Sequence, residues 1–545
     1  MELLEWVEKN NQNSHKKLTD SKYFELCFVG AICLLSLVFG IIYVLMSKTV
    51  YFWDDSTYWD IGRMLAGKPL NFSFLKEIYI SIGTSDYNYL VAVPVAIWMK
   101  IFGITRVSYI VSVILFYLIP SQIVIYVLAK KLSKTPGFTC VITLMLIPAL
   151  WYITVIGFID VAGVLIGLVC YLLYMTDTLD KKPYLKNVLL GILLVLAILT
   201  RRYFAFFSVS FITLMVVDTI LIKRNYKQLA VTLATVAFML LVVFYPFFRN
   251  ILLKDYGTLY AGYKYSVWTD MKLITRYFGA VFIIGIIASV IISVIKRKEL
   301  RSAFSLLQIL VCATMFVSTQ THGQQHLFLY IPALVMIIIF AINAIDKNSV
   351  IFGLCVVALL NFLSPCISRK QPNNIQEIKS LALFPSYSVK PKNRSDINSV
   401  LALKRTLDKK IPEGAKCGVL SSSFTLNSSI LMNVVPSLNM KEVREDSYIV
   451  GLPEVDSRDY WRLEEIYTCD YILVATPAQT HLAPSQQTIV IQAVESFKNG
   501  TDIARSFSKI NDFKFKVGNI DISLYKRAGD VSKTAKTEFE LKLYK

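Results

Sequence analysis

The stretch CFVGAICLLSLVFGIIYVLM (27–46), running into SKTVYFWDDSTYWDIGRMLAGKPL (47–70), decides how this chain is built. Its first part carries no charge from Cys27 to Met46, long enough to cross a bilayer as a helix. Its second part is abruptly polar and aromatic and opens with adjacent carboxylates, Asp54 and Asp55. The rest of the chain shares the bias: 545 residues, 55% hydrophobic and 17% charged, with mean hydropathy +0.53. Soluble domains are about 25% charged, so an ordinary soluble enzyme is excluded. The 30 Tyr, 33 Phe and 7 Trp suit a chain with two membrane interfaces, and Trp53 and Trp59 are expected in such a belt. The composition predicts a polytopic membrane protein.

Spans are expected at 26–46, 107–129, 137–156, 203–222, 228–248, 277–295, 327–345 and 349–367, with shorter ones at 161–176, 185–200 and 303–319, about eleven in all. A twelfth apolar run, YLVAVPVAIWMKIFG (89–103), is short and carries Pro94 and Lys100. The net charge of +19 resolves it, read as a topology signal. If 89–103 does not cross, the clusters Lys130/Lys131/Lys134, Lys181/Lys182/Lys186, Lys223/Arg224/Lys227 and Lys296/Arg297/Lys298/Arg301 all fall on the side of the Lys-bearing N-terminus, the cytoplasm. If it crosses, all four flip outside. It is therefore read as juxtamembrane or re-entrant. No basic stretch with interleaved aromatics suggests nucleic-acid binding, and that partner is dropped.

The polar start, Met1 to Lys22, and the long apolar run after it argue against a cleavable signal. The nine cysteines show no CxxC; pairing of Cys417 with Cys469 stays open. From about residue 368 charges of both signs mix, and Pro365, Pro372, Pro385 and Pro391 mark a linker. CGVLS (417–421) and YILVATP (471–477) read as buried strands, 485–497 as a helix and 513–527 as a hairpin, with a disordered tail after Arg527. The expected organisation is a cytoplasmic segment 1–25, a helical membrane domain 26–367 whose first outer loop is 47–106, and an extracytoplasmic α/β domain 368–545.

With that topology the unusual polar residues collect on the outer face. Asp54 and Asp55 open the first loop, Asp160 sits in GFIDVAG between spans, and Arg201, Arg202 and Tyr203 form a turn. Asp86 lies in SDYNYL, and QTHGQQH (320–326) brings His322, Gln325 and His326. Ionisable groups at a membrane boundary are costly and mark function. A carboxylate is a general base for a hydroxyl, and arginine grips phosphate while staying charged. The set suits a sugar on a polyprenyl phosphate, transferred to an acceptor hydroxyl through an oxocarbenium-like transition state. A single displacement would invert the anomeric centre.

WDDSTYWDIGRMLAGKPL (53–70), then FGITRVSYIVSVILFYLI (102–119), AKKL (129–132), GFIDVAGVLIG (157–167) and LLVLAILTRRYFAF (193–206), resemble in order the motifs of the GT-C membrane glycosyltransferases. The branch is that of the protein O-mannosyltransferases and the aminoarabinose–lipid A transferases, bacterial type. The resemblance covers residues 26–222 well and 300–345 loosely. It implies a GT-C-like helical bundle with juxtamembrane helices in the first outer loop. By the match, Asp54 is the catalytic base, Asp55 stands where many members carry Glu, and Asp160 is the second acid. Arg201 or Arg202, with Tyr203, contacts the donor phosphate, and Asp86, His322, Gln325 and His326 are weaker substrate contacts. SDYNYL replaces a Lys-Pro-Pro-type stretch, and a single basic residue has become two. A divalent cation, magnesium or manganese, is compatible with the three acids but not required, since two arginines suffice to neutralise a phosphate. The implied partners are a polyprenyl-phosphate sugar donor, a glycan, lipid or protein acceptor, and membrane lipids, at the plasma membrane with the site outside. The alternative is a transporter or flippase of lipid-linked sugars, which would favour midplane charges and repeat symmetry; neither is visible.

Overall fold

Among the described residues seven helices are long and apolar enough to cross a membrane, and two bent helix pairs pass the same test. The computed structural model of the chain describes residues 22–297, 299–345, 348–368, 378–440, 444 and 447–543. The N-terminal segment through residue 21, Lys298 and Pro372 therefore lie outside the described residues. Two shorter apolar helices, Val161–Met175 and Ile331–Ala344, complete the eleven segments read as spans. The chain is an integral membrane protein of mainly helical build.

The bends have identifiable causes. Pro136–Leu146 and Ala149–Val155 meet at 58°, with Pro148 between them, where a ring replaces an N–H and clashes with the preceding turn. Val267–Phe278 and Ala280–Arg297 turn through 90° at Gly279, whose φ is 82°. A Cβ there would lie 2.8 Å from the Leu383 carbonyl oxygen and 3.0 Å from Phe384 Cα. Only glycine lets the incoming C-terminal backbone reach this corner. The apolar run expected from 277 thus starts after the corner, and the amphipathic helix before it was not foreseen.

The segment 89–103 becomes a short 3-10 turn and the helix Val93–Phe102, packed against the helix Asp54–Gly67 through buried Val95, Ala96 and Met99. Lys100 donates to the Ala66 and Lys68 carbonyls at 3.1 and 2.8 Å, satisfying the open end of that helix. A lysine in an apolar run is explained by this cap. Trp59 is not a belt residue: it is fully buried against Tyr51 and Tyr109.

Three of the four basic clusters meet at one end of the bundle, around residues 174–180. Lys131 pairs with Asp177, Lys186 reaches Asp180 and the Thr176 carbonyl, and Lys223 reaches the Tyr174 carbonyl. The C-terminal domain sits at the other end.

That domain has strands β1 (Cys417–Leu420), β2 (Ile449–Gly451), β3 (Tyr471–Thr476), β4 (Phe507–Lys509), β5 (Phe515–Val517) and β6 (Ile520–Arg527). Their order is β2-β1-β3-β6-β4, with β5 also on β6; β1 runs parallel to β2 and β3, and β6 antiparallel to its neighbours. Leu473 and Ala475 face one core with the helices Ile397–Lys410 and Ser428–Ser437, while Ile472 and Val474 face another with Thr488–Asn499. Two covered faces make a continuous apolar strand the rule. Cys417 and Cys469 are both free and buried.

Two expectations fail here. The tail after Arg527 is not disordered: it forms the helix Lys533–Leu543, anchored by fully buried Phe539. One such ring contributes roughly 1.5–3 kcal/mol, enough to seat a short charged helix. Pro365 lies inside the helix Asn348–Ile367 rather than in a linker.

The domain is fastened to the first loop. Lys48 and Asn393 form a parallel bridge, Val50 enters the domain's core, and Asn433 donates to Asp60 at 3.1 Å.

Candidate active site

Arg201 stands at the centre. The helix Pro183–Thr200 ends just before it, and its last carbonyls are capped by Asn88 on Leu199 (2.6 Å) and the Tyr58 hydroxyl on Thr200 (2.9 Å). A cation at a helix C-terminus is favoured by the dipole. The guanidinium is 4.5 Å from the Tyr87 ring centroid and 5.6 Å from those of Tyr58 and Tyr203. Its Nε lies 3.0 Å from Asp160 and its Nη2 3.6 Å from Asp54. Burial works against the charge, but Asp160, Tyr87 and Asp54 outweigh it and hold the group above its ordinary range. Its Nη1 is buried without a hydrogen-bond partner among the described residues.

Asp160 is almost wholly buried and also accepts from the Tyr203 hydroxyl at 2.5 Å. Asp54 begins the helix Asp54–Gly67, where the helix dipole favours a carboxylate. Its two oxygens accept from the Tyr87 hydroxyl (2.8 Å) and the Gln325 amide (2.9 Å), and its side chain stays 38% exposed to a cleft. That cleft has a volume of about 1210 Å³ and is lined by both domains.

Several expected residues take other roles. Asp55 turns away from Asp54 into a separate cavity of about 30 Å³ beside Tyr51, Arg106 and Lys392. Burial pushes its carboxyl up to about 7, Lys392 opposing and Asp54 and Asp160 adding to the rise. Asp86 is the anion shared by Arg202 (2.8 Å) and Lys254, so it organises the cationic wall. His322 is fully buried with its ring nitrogens engaged by Asp270 (2.7 Å) and Tyr330, which leaves none for a substrate. His326 accepts from the Gly323 N–H at 2.7 Å; burial, with His322 and Arg201, holds it well below its ordinary range and hence neutral. Asp54, Asp160, Arg201, Tyr203 and Gln325 do come together.

The sequence reading missed Tyr58 and Tyr87, which flank Arg201, although Tyr87 sits in the stretch already singled out around Asp86. It also missed the opposite wall: Phe424, Glu454, Arg458 and His481 of the C-terminal domain, and Tyr263. Trp53, read as interfacial, belongs to that wall.

The three acids expected to gather are dispersed. Asp54 accepts one hydrogen bond on each oxygen and keeps capacity toward the cleft, Asp55 faces elsewhere, and Arg201 lies between Asp54 and Asp160. Among the described residues no three His, Cys, Asp or Glu side chains gather as metal ligands.

No protein-family model matches the chain, and no curated protein does. Solved structures do. ArnT from Cupriavidus metallidurans bound to undecaprenyl phosphate superposes with a TM-score of 0.54 at 12% identity, over 92% of this chain and 98% of that one. Its apo form gives 0.55 at 11%, over 92% and 97%. The Archaeoglobus fulgidus oligosaccharyltransferase aligns at 13% identity with a TM-score of 0.39, over 89% of this chain and 79% of that one. The chain has the GT-C fold. In this GT-C fold the match runs through the bundle and the C-terminal domain alike, so the α/β domain is part of the shared architecture.

Proposed function

We propose that the chain is an inverting glycosyltransferase that moves a sugar from a polyprenyl-phosphate donor to an acceptor hydroxyl on the extracytoplasmic face. The observation that carries this is the Arg201 guanidinium: buried under tyrosine rings, charged, with Nη1 unpartnered, and linked to the cleft-facing carboxylate Asp54. An unpaired buried donor is costly unless a ligand meets it. A phosphate oxygen is the ligand that matches its charge. Arg202 and Lys254 on the same wall carry further positive charge.

Asp54 is then the base. The acceptor hydroxyl gives its proton to the Asp54 carboxylate as its oxygen attacks the anomeric carbon, and the lipid phosphate departs against Arg201. Tyr87 and Gln325 fix the carboxylate, and Asp160 with Tyr203 fixes Arg201. Arg201 offers the departing phosphate a hydrogen-bond donor, and Arg202 and Lys254 add positive charge on the same wall. Undecaprenyl phosphate in the ArnT structure supports the donor class. The gathering of three basic clusters at the opposite end supports an extracytoplasmic site.

The test is transfer of labelled sugar from a polyprenyl-phosphate donor to a membrane acceptor fraction by purified protein. Asp54→Asn should lower transfer by about two to four orders of magnitude with donor binding intact. Arg201→Lys keeps the charge but loses Nη1, and should weaken donor use by roughly 1.5–3 kcal/mol, about ten- to a hundredfold. Full transfer in Asp54→Asn would remove the assigned base. Sugar crossing sealed vesicles with no new glycosidic bond would make the chain a transporter.

A further inference from the structure

The cleft has a second wall on the C-terminal domain, and the two walls meet at Trp53. This residue has φ 51° and ψ −125°, a conformation rare for a bulky side chain, with its N–H held by Ser429 Oγ at 3.1 Å. The twist sends consecutive side chains to different walls. Asp54 goes to Tyr87 and Gln325, while the Trp53 indole lies 4.4 Å from the His481 ring and 5.3 Å from Phe424. Strain of this kind persists only where surrounding contacts hold it, and it clusters at functional sites.

The polar groups around this aromatic face are fixed and carry little net charge. His481 Nδ1 is engaged by Ser422 Oγ at 2.9 Å, and among the described residues its Nε2 has no partner. Burial pulls His481 down to about 4, so the ring is neutral. Glu454 is buried at the cleft edge and pushed up to about 7 by that burial, Arg458 opposing. Arg458 is neutralised by Asp459 through contacts of 2.8 and 2.7 Å and donates to Tyr263 at 3.1 Å.

We propose that this wall is the acceptor subsite and that it takes a neutral saccharide, whose ring stacks on Trp53 and His481 while its hydroxyls bond to Glu454 and His481 Nε2. The word acceptor rests on the transfer reading above. A phosphorylated acceptor would call for unpaired cations, and the two arginines here, Arg458 and Arg462, are spent on Asp459 and Glu465. An acyl chain would leave these buried polar groups unsatisfied. A sugar has both apolar C–H faces and hydroxyls, and the wall offers ring faces and fixed polar atoms in one place. The acceptor hydroxyl would then enter beside Asp54, the next residue in the chain.

The test uses the full-length protein in lipid nanodiscs, with methyl glycosides of glucose, galactose, mannose and rhamnose as probes and a Ser/Thr tripeptide as competitor class. Saturation-transfer NMR should detect at least one glycoside on the wild type. His481→Asn, which removes Nε2 and the stacking ring, and Glu454→Gln, nearly equal in volume to the native residue, should each weaken it about tenfold. Undecaprenyl phosphate binding, followed by native mass spectrometry, should be unchanged in both. No glycoside signal on the wild type, a signal equal in both variants, or tripeptide binding in its place would overturn the subsite, and the wild-type measurement needs no variant to fold. Saccharide binding that both variants weaken, in a protein without transferase activity, would keep the subsite and sink the transfer reading. Transfer at the wild-type acceptor KM in both variants would do the reverse.

Discussion

Asp54 and Asp55 are neighbours with opposite fates. Asp54 is exposed to the cleft and held by two donors, whereas Asp55 lines a cavity with room for about one water. The paired acids were legible in the sequence; their divergence was not, because it depends on the Trp53 twist and on Arg106 gathering the Val44, Ser47 and Thr49 carbonyls behind them. Asp55 gives a pH prediction. Its folded carboxyl is raised from 3.8 to about 7 by burial, so the native state binds more protons than the unfolded chain between those values. Stability therefore falls as pH rises through that window, and the cost is complete above about 7. Asp55→Asn removes the titration. Its melting temperature should exceed the wild type's at pH 8, and the gap should close toward pH 4, with transfer activity largely retained. A gap that widens on acidification would mean that Asp55 is stabilised as the anion by Lys392.

At the scale of elements, apolar runs announce themselves and corners do not. Seven of the eleven segments are helices long and apolar enough to cross a membrane, two more are bent pairs that pass the same test, and the remaining two are shorter helices. The segment 89–103 was placed off the spans by its length, Pro94, Lys100 and charge parity, and its Lys100 caps the helix Asp54–Gly67. The helix Val267–Phe278 escaped notice because its mixed polar and apolar faces read like a loop beside a span. The opposite wall escaped for a different reason: Glu454, Arg458 and His481 are single polar residues in a soluble domain, where most such residues are merely solvated. Gly279 offers a sharp test of the corner. Gly279→Ala must hold a positive φ and seat a Cβ 2.8 Å from the Leu383 carbonyl, which should cost roughly 1–3 kcal/mol. Gly285→Ala, in the helix that follows with open space around it, should be neutral or slightly stabilising. Thermal unfolding of the two purified variants checks this; equal melting temperatures would mean that the corner is loosely packed.

At the scale of the whole molecule, cleft, cationic end and C-terminal domain form one argument about sidedness. Three of the basic clusters lie at one end of the bundle, and Arg201, Asp54 and the α/β domain lie at the other. If positively charged loops stay in the cytoplasm, the cleft opens outside, where a lipid-linked sugar already flipped across the membrane would be used. Two cysteine substitutions measure this, in a background with the exposed Cys27 and Cys366 replaced by alanine. Lys409→Cys lies on the exposed end of a helix of the α/β domain and should react with a membrane-impermeant maleimide in intact cells. Lys130→Cys lies in the first basic cluster and should react only after the membrane is opened. The reverse pattern would place the cleft in the cytoplasm, where Arg201 would face soluble nucleotide-linked donors, and the polyprenyl-phosphate reading would fall with it. Labelling of both in intact cells would mean a mixed orientation, which the strong one-ended charge bias argues against.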